Sequence, residues 1–400
     1  MSAPLLRRRA FLPLLPAFLI LPAAVLSACG GGAEREEIRH PELLQEAARL
    51  NDVAGAAVAA GLVGAVFGSQ PEGLQKLYLG SAGLSQQSQG PALSSEQPFQ
   101  LGSLSKSMTA ALAAELVRQG KLRWDSRPAE LLPELIALQH PEFAAITLRQ
   151  LLDHRSGLPA FQDPSELEEL ADYLAIQTEP LPTSDRERRR LLARWMLARK
   201  PALPPGQELL YSNAGYTLAG AMMEAATGQD FDSLLLNWAR GLGLELSLNP
   251  PPRAPQGHVG PTPQSLKPFE ALAPEWAVWV DGALRPSGNV WMTPAAYGRW
   301  LAEHQRALQG QSHGLAPEYV QRLRQLPEGE YGLGWVAMQA QGQRGLVHTG
   351  AYLGFMGMVF VQQGGKQAYF GLSNTEGNNE DGNSWVLNVL TQAVLQLASR

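Results

Sequence analysis

Strand-forming segments occupy both ends of this 400-residue chain, and a long helix-forming block separates them. Residues 54–67 are small and apolar and read as a buried strand, and further strand-like segments lie near 75–80 and 97–101, with Gly80, Gly83 and Gly90 as punctuation. Toward the other end, residues 330–338, 344–349, 355–362 and 367–373 again read as strands. A closing helix from about Ser384 to Ala398 places Val386, Leu390, Ala393, Val394 and Leu397 three and four residues apart on one face. Helical periodicity also runs from Pro41 to about Leu50. It returns from Ser103 onward, where Met108, Ala111, Leu112, Leu116 and Val117 share a face and Gly120 is placed to cap the end. Residues 125–300 are mostly helical with proline-bearing loops. The stretch 249–268, with Pro250, Pro251, Pro252, Pro255, Pro261 and Pro263, must be loop. Strands at both ends need partners, and the economical arrangement is α+β: one antiparallel sheet built from both ends of the chain, flanked by helices, with a mainly helical second lobe.

The first 28 residues read as an export signal rather than as part of the fold. Arg7-Arg8-Arg9 form a positive start, and Phe11–Leu26 form an apolar stretch that Pro13, Pro16 and Pro22 make a poor membrane helix. Leu26-Ser27-Ala28-Cys29 follows and resembles the lipobox of bacterial lipoproteins, in which the cysteine is acylated. Cys29 is the only cysteine and cannot form an internal disulfide. An ordinary secretory signal with an incidental cysteine is the alternative. Arg8-Arg9-Ala10-Phe11-Leu12 also resembles a twin-arginine signal, so the export route stays open. Residues 29–40 read as a flexible tether and 41–400 as the folded domain, with its helical lobe over roughly 125–300. The expected location is the bacterial cell envelope, lipid-anchored through Cys29 and facing the periplasm or the exterior.

Composition matters here for what it excludes. Hydrophobic residues make up 45% and charged residues 17%, enough for a substantial core. Removing the first 28 residues takes away three arginines and no acid, so the net charge moves from −5 to −8. Without a basic surface, nucleic acid is not an expected partner.

Three short elements carry the chemistry. Ser103-Leu104-Ser105-Lys106 puts a hydroxyl and an amine three residues apart, on one face if a helix starts near Ser103. Burial and a helix N-terminus both disfavour a charged lysine, and a neutral amine beside a serine is a competent general base. No other lysine has a serine three places before it. Tyr211-Ser212-Asn213 supplies a phenol able to relay a proton, favoured as phenolate by a nearby lysine, and an amide able to hold Lys106 and donate to a substrate carbonyl. His348-Thr349-Gly350 ends a strand. There Gly350 lets a substrate backbone lie close, and the Ala351 N–H joins the Ser103 N–H as an oxyanion donor. His348 itself is read either as a carboxylate-binding imidazolium or as a proton relay. Each element alone is commonplace, and their joint occurrence describes acyl transfer through a serine ester.

Gly310-Gln311-Ser312-His313-Gly314 matches a nucleophile elbow, but that elbow needs a strand before it, and residues 295–308 read as helix. The seven histidines contain no His-x-x-x-His pair, and one cysteine makes no thiolate cluster, so no metal is expected. No phosphate-cradling glycine motif is present, so no cofactor is expected either.

With these residues in view, the chain resembles the serine β-lactamase-like superfamily over roughly residues 50–395, in the branch joining class C β-lactamases, D-Ala-D-Ala carboxypeptidases, D-aminopeptidases and related carboxylesterases. Phe99 through Lys106 is similar to that family's nucleophile block, and Ile146 through Pro159, containing Asp153-His154-Arg155-Ser156-Gly157, to its second signature. Pro205-Gly206 through Gly220 resembles the Tyr-x-Asn block and Tyr331-Gly332-Leu333-Gly334-Trp335 the strand before the third motif. The resemblance implies a β-lactamase/transpeptidase-like fold, Ser103 as the acylated nucleophile, Lys106 and Tyr211 as the proton-handling pair, and Asn213 as a substrate contact. It puts His348 and Thr349 in the third-motif positions. There His stands where class C enzymes carry Lys, which is closer to the peptidase and esterase branches. Ser287 through Thr293 is an altered form of a Gly-Gly-x-x-Ser-Thr stretch, and His258 stands where Tyr is common.

The expected activity is therefore a serine hydrolase acting on a D-Ala-D-Ala-type peptide or a small ester or amide, its pocket shaped by loops at 160–185 and 249–290. The alternatives are a low-efficiency β-lactamase and a catalytically poor ligand-sensing lipoprotein. With no heptad seam, a monomer is the default.

Overall fold

The apolar run Phe355–Val361 has no polar alternation, as a strand covered on both faces requires. In the structure, a computed structural model that describes residues 41–71, 76–88, 90–162, 164–311, 313–340, 342–379 and 382–399, this run lies inside a seven-stranded sheet. Across the sheet the strands run Tyr78–Gly83, Gly64–Gln70, Ala368–Ser373, Phe355–Gln362, Gln343–Tyr352, Trp335–Ala340 and Tyr331–Gly332, each antiparallel to its neighbour. The two ends of the chain meet where Val66 pairs with Leu372. The architecture is thus the expected α+β one. The export signal, Cys29 and the tether all fall within residues 1–40, outside the described residues. Among the described residues no helix is long and apolar enough to cross a membrane.

Two helices cover one face of the sheet. Pro41–Ala59 presents Leu50, Ala54 and Ala57, and Trp385–Ala398 presents Val386, Leu390, Val394 and Leu397, against Phe67, Met358 and Phe360. The second helix begins on Ser384, whose hydroxyl accepts the Leu387 N–H at 3.0 Å. The first helix corrects the reading of residues 54–67. Helix continues through Ala59, and the strand is confined to Gly64–Gln70. Alanine is the best helix former, and Ala54 and Ala57 extend the face begun by Leu50. A small apolar run therefore belongs to whichever element already owns its face.

The opposite face carries the helical lobe, in which Lys106–Arg118 and Asn213–Thr227 are wholly or largely buried. The expected helix from Ser103 starts as a tight turn over Gly102–Ser105 before becoming α-helical at Lys106. Residues 249–268 are loop apart from two-residue strands at His258–Val259 and Lys267–Pro268 and a short turn at Pro263–Ser265. The helix Pro294–Gln309 precedes the Gly310-x-Ser312-x-Gly314 match, which confirms the wrong context for an elbow.

One buried ion pair ties the lobe together. Arg189 and Glu224, each 1% exposed, meet at 2.6 Å, and Arg189 also donates to the carbonyls of Ala283 and Gly282. These bonds lock the Asp185–Leu197 and Asn213–Thr227 helices to the π-helical turn Val278–Ala283. Removing one partner leaves the other charge buried and uncompensated. Arg189→Ala is expected to destabilise the fold by about 3–5 kcal/mol in denaturant unfolding; a loss below about 1 kcal/mol contradicts this role.

Candidate active site

Ser103 and Lys106 are three residues apart because the turn Gly102–Ser105 leads directly into a helix, and the geometry follows from that junction. Lys106 Nζ lies 2.9 Å from Ser103 Oγ, 2.7 Å from Asn213 Oδ1 and 2.6 Å from the Ser287 carbonyl oxygen. The side chain is fully buried, while Ser103 is only half-buried and so open to a substrate. Desolvation holds the Lys106 amine well below the ordinary lysine range. A neutral amine has two hydrogens and one lone pair. Asn213 Oδ1 and the Ser287 carbonyl can only accept, so they take the hydrogens, and the lone pair is left for the Ser103 O–H. The Asn213 side chain is oriented for this by its own Nδ2, which donates to the Phe161 carbonyl at 3.0 Å.

The Tyr211-Ser212-Asn213 block is held by the 154–161 segment. Ser212 caps the Asn213–Thr227 helix by accepting the Gly215 N–H, and its hydroxyl donates to the Pro159 carbonyl at 2.6 Å. The Ser212 N–H donates to His154 Nδ1 at 3.0 Å. Tyr211 stands close enough to Ser103 for the serine to offset part of the effect of burial on the phenol, and its ring centroid lies 4.8 Å from Lys106 Nζ. Burial raises the Tyr211 phenol above its usual range. The expectation that lysine favours a phenolate is thereby corrected: both groups are desolvated, so each keeps its neutral form, and the amine is the base of the pair.

Gly350 and Gly102 bring the strand edge onto the nucleophile. A Cβ on Gly350 would lie 2.2 Å from the Leu101 carbonyl oxygen and 3.0 Å from the Ser103 nitrogen, and one on Gly102 would lie 2.7 Å from the Ala351 nitrogen. The hairpin after this strand turns through Leu353 and Gly354 (φ +56° and +80°) and pairs Tyr352 with Phe355. Alternation along the antiparallel ladder then turns the Ala351 N–H away from the Phe355–Gln362 strand and toward Ser103. Two backbone donors thus flank one point beside Ser103 Oγ. Thr349 lies half-buried on the same edge.

His348 does not act in the way its carboxylate-binding reading requires. Its Nδ1 faces the Thr349 carbonyl at 2.6 Å and its Nε2 the Tyr331 hydroxyl at 3.2 Å, so a neutral ring donates from the first and accepts at the second. Burial, with Lys106 nearby, depresses it to about 3. It is a neutral strut between the strand and Tyr331. His258 is likewise structural, with Nε2 accepting the Gln87 N–H at 3.1 Å.

Two contributors lie outside the expected set. The Ser287 carbonyl carries no side-chain signature, because any residue type supplies it. His154, fully buried in a left-handed conformation (φ +56°), accepts at Nδ1 and so carries its proton on Nε2, an atom with no hydrogen-bond partner. Its ring sits 4.2 Å from Tyr211 and 4.3 Å from Tyr331, and burial holds it far below the ordinary histidine range. Its place in the Asp153-His154-Arg155-Ser156-Gly157 signature was the available signal. No group of His, Cys, Asp or Glu among the described residues is arranged to hold a metal ion.

Fold and site together set a serine beside a desolvated lysine, the arrangement that acyl transfer through a serine needs. The chain belongs to the Beta-lactamase family, whose model matches residues 50–393. It is 27% identical over 230 residues to penicillin-binding protein 4 of Amycolatopsis lactamdurans, a match covering 56% of this chain; the chain spans only about half, 55%, of that relative's length. Its fold is that of a D-stereospecific amidohydrolase from Streptomyces sp. (TM-score 0.65, 21% identity, covering 87% of this chain and 98% of that one). It is equally that of the D-amino acid amidase of Ochrobactrum anthropi SV3 (TM-score 0.68, 19% identity, 89% and 97%).

The buried amine makes a sign-specific prediction. Lys106 is neutral when folded but charged when unfolded until about pH 10.4. Its share of stability is complete only above that value and is lost as pH falls toward the folded-state value. Relative to Lys106→Met, the wild type is expected to gain up to about 1.4 kcal/mol per pH unit between pH 8 and 10. Parallel unfolding curves over that range would contradict a neutral lysine.

Proposed function

We propose that this protein hydrolyses amides, peptides or esters of D-amino-acid type through an acyl-enzyme on Ser103. The observation that carries this is the Lys106 amine, stripped of water and presenting its lone pair to Ser103 Oγ at 2.9 Å. Lys106 takes the Ser103 proton as Oγ attacks the substrate carbonyl. The N–H groups of Ser103 and Ala351 receive the oxyanion. Tyr211, beside Lys106, passes a proton to the departing amine or alcohol as the carbon–heteroatom bond breaks and takes the Lys106 proton in its place. Water then attacks the ester by the reverse relay, releasing the acid and restoring the Ser103 O–H.

The substrate class rests on the amidohydrolase and amidase that share the fold and on the penicillin-binding relative. The cell envelope is the proposed location, with a lipid on Cys29 as anchor, because the lipobox-like segment precedes the catalytic domain. A Cys29→Ala protein that stays in the membrane fraction overturns the anchor.

Incubating the full-length chain with D-alanine amide, p-nitrophenyl acetate and benzylpenicillin, while following intact mass and product release, tests the activity. Turnover of the amide or ester is expected to fall at least about a thousandfold in Ser103→Ala; unchanged turnover defeats the proposal. Rapid penicillin turnover without a lasting adduct makes the protein a β-lactamase instead. The acid limb of kcat/KM is expected to be one ionisation, that of Lys106, rising to a plateau as its proton is lost. A second limb near the ordinary histidine value contradicts the neutral His348 strut.

A further inference from the structure

Just beyond Ala351 two side chains from opposite sides of the molecule meet. Along the Gln343–Tyr352 strand, Leu346 packs in the helical-lobe core, while Val347 and Ala351 pack in the opposite one. Alternation therefore turns Tyr352, like Leu346 and His348, toward the helical lobe. There the Tyr352 hydroxyl donates to the carboxylate of Asp281, which projects from the π-helical turn Val278–Ala283. Sheet and lobe are thus joined by a hydrogen bond one residue past Ala351, and this bridge is the wall considered below.

The wall is braced back to the nucleophile. The Asp281 carbonyl accepts from Asn289 Nδ2 at 3.0 Å, Asn289 Oδ1 from Gln100 Nε2 at 2.6 Å, and Gln100 Oε1 from the Gly102 N–H at 2.6 Å. Arg189 fixes the same turn through the Gly282 and Ala283 carbonyls. A side chain free to swing aside would gate nothing. Here the Asp281 backbone is tied through Asn289 and Gln100 to the turn that carries Ser103, and its side chain is held by Tyr352.

Which half of a substrate meets the wall follows from the position of Tyr211. Its ring lies 6.3 Å from that of His348, so a leaving group protonated by Tyr211 departs on the His348 side. The acyl group then extends the other way, past Ala351 toward Tyr352. Resting on the acyl-enzyme reading above, we infer that Asp281 and Tyr352 are the specificity-determining pair of this site, limiting the acyl group to about one residue's length, roughly 3.3 Å of extended chain. The preferred substrates are then short acyl donors, such as a single aminoacyl group or a small carboxylic ester, and not acyl groups inside a longer peptide or a fatty chain.

The test is an acyl-length series on the full-length protein, with p-nitrophenyl acetate, butyrate and octanoate, for wild type, Tyr352→Ala, Tyr352→Phe, Asp281→Ala and Asp281→Asn. In the wild type, kcat/KM for butyrate is expected to exceed that for octanoate by at least about tenfold. Tyr352→Ala and Asp281→Ala are expected to shrink that ratio at least about threefold, with Tyr352→Phe, which keeps the ring, in between. Asp281→Asn retains an acceptor for the Tyr352 hydroxyl and is expected to keep the wild-type ratio. If the alanine variants fail to fold, the Phe and Asn pair decides by the same ordering. A wild type that handles octanoate as well as butyrate, or a ratio unmoved in folded variants, overturns the inference while Ser103-dependent turnover keeps the hydrolase reading intact. Ester turnover undiminished in Ser103→Ala overturns both.

Discussion

The site depends on the burial of one amine. Lys106 has its hydroxyl, amide and carbonyl neighbours from three separate parts of the chain, at Ser103, Asn213 and Ser287. Two of them accept its hydrogens and the Ser103 hydroxyl donates to its lone pair, so the buried amine is satisfied in the neutral form that desolvation favours. Much of the surrounding structure serves this arrangement. The Arg189–Glu224 pair holds the π-helical turn that runs on into Ser287, the 154–161 segment holds Asn213, and Gly102 and Gly350 let the strand edge close against the serine. Loss of any of these supports reaches the base without touching it.

The same dryness sets the protonation of the whole cluster. His154, His348 and Tyr211 all stand near Lys106, and burial keeps each in its neutral form, as it does the lysine. A resting site with no net charge among these four groups has no internal ion pair to break when the proton moves from Ser103 to Lys106. In the proposed acylation the ammonium that forms would be the one cation of these four groups, beside an oxyanion between the Ser103 and Ala351 amides. Charge separation within a low-dielectric pocket is a demanding step, and oriented backbone dipoles are what make it accessible.

Much of this was legible in the residue order. The end-to-end sheet follows from strand segments at both termini, Ser103 and Lys106 adjoin as their spacing implied, and Tyr211 and Asn213 meet them as the joint occurrence of the motifs suggested. What was not legible shares a physical reason. The Ser287 carbonyl is backbone and leaves no trace in residue type. The role of His348 depends on which partners its two nitrogens find, and Tyr331 lies 17 positions away on another strand. Residues 54–59 went to helix because periodicity alone does not say which element owns a short run of small side chains. Asp281 and Tyr352 sit 71 positions apart, and only the folded lobe brings them together.

The sheet has a consequence in time. Its central strands, Ala368–Ser373 and Phe355–Gln362, are among the last made, yet Gly64–Gln70 has no neighbour on that side until they arrive. Ser103 and Lys106 emerge early, but the strand edge carrying Ala351 comes about 250 residues later, and the long loop between must close before the two meet. During synthesis the serine therefore exists without the Ala351 N–H beside it. The Ala351 edge joins the serine only when the C-terminal strands are in place, and any product truncated before Gly350 lacks it permanently.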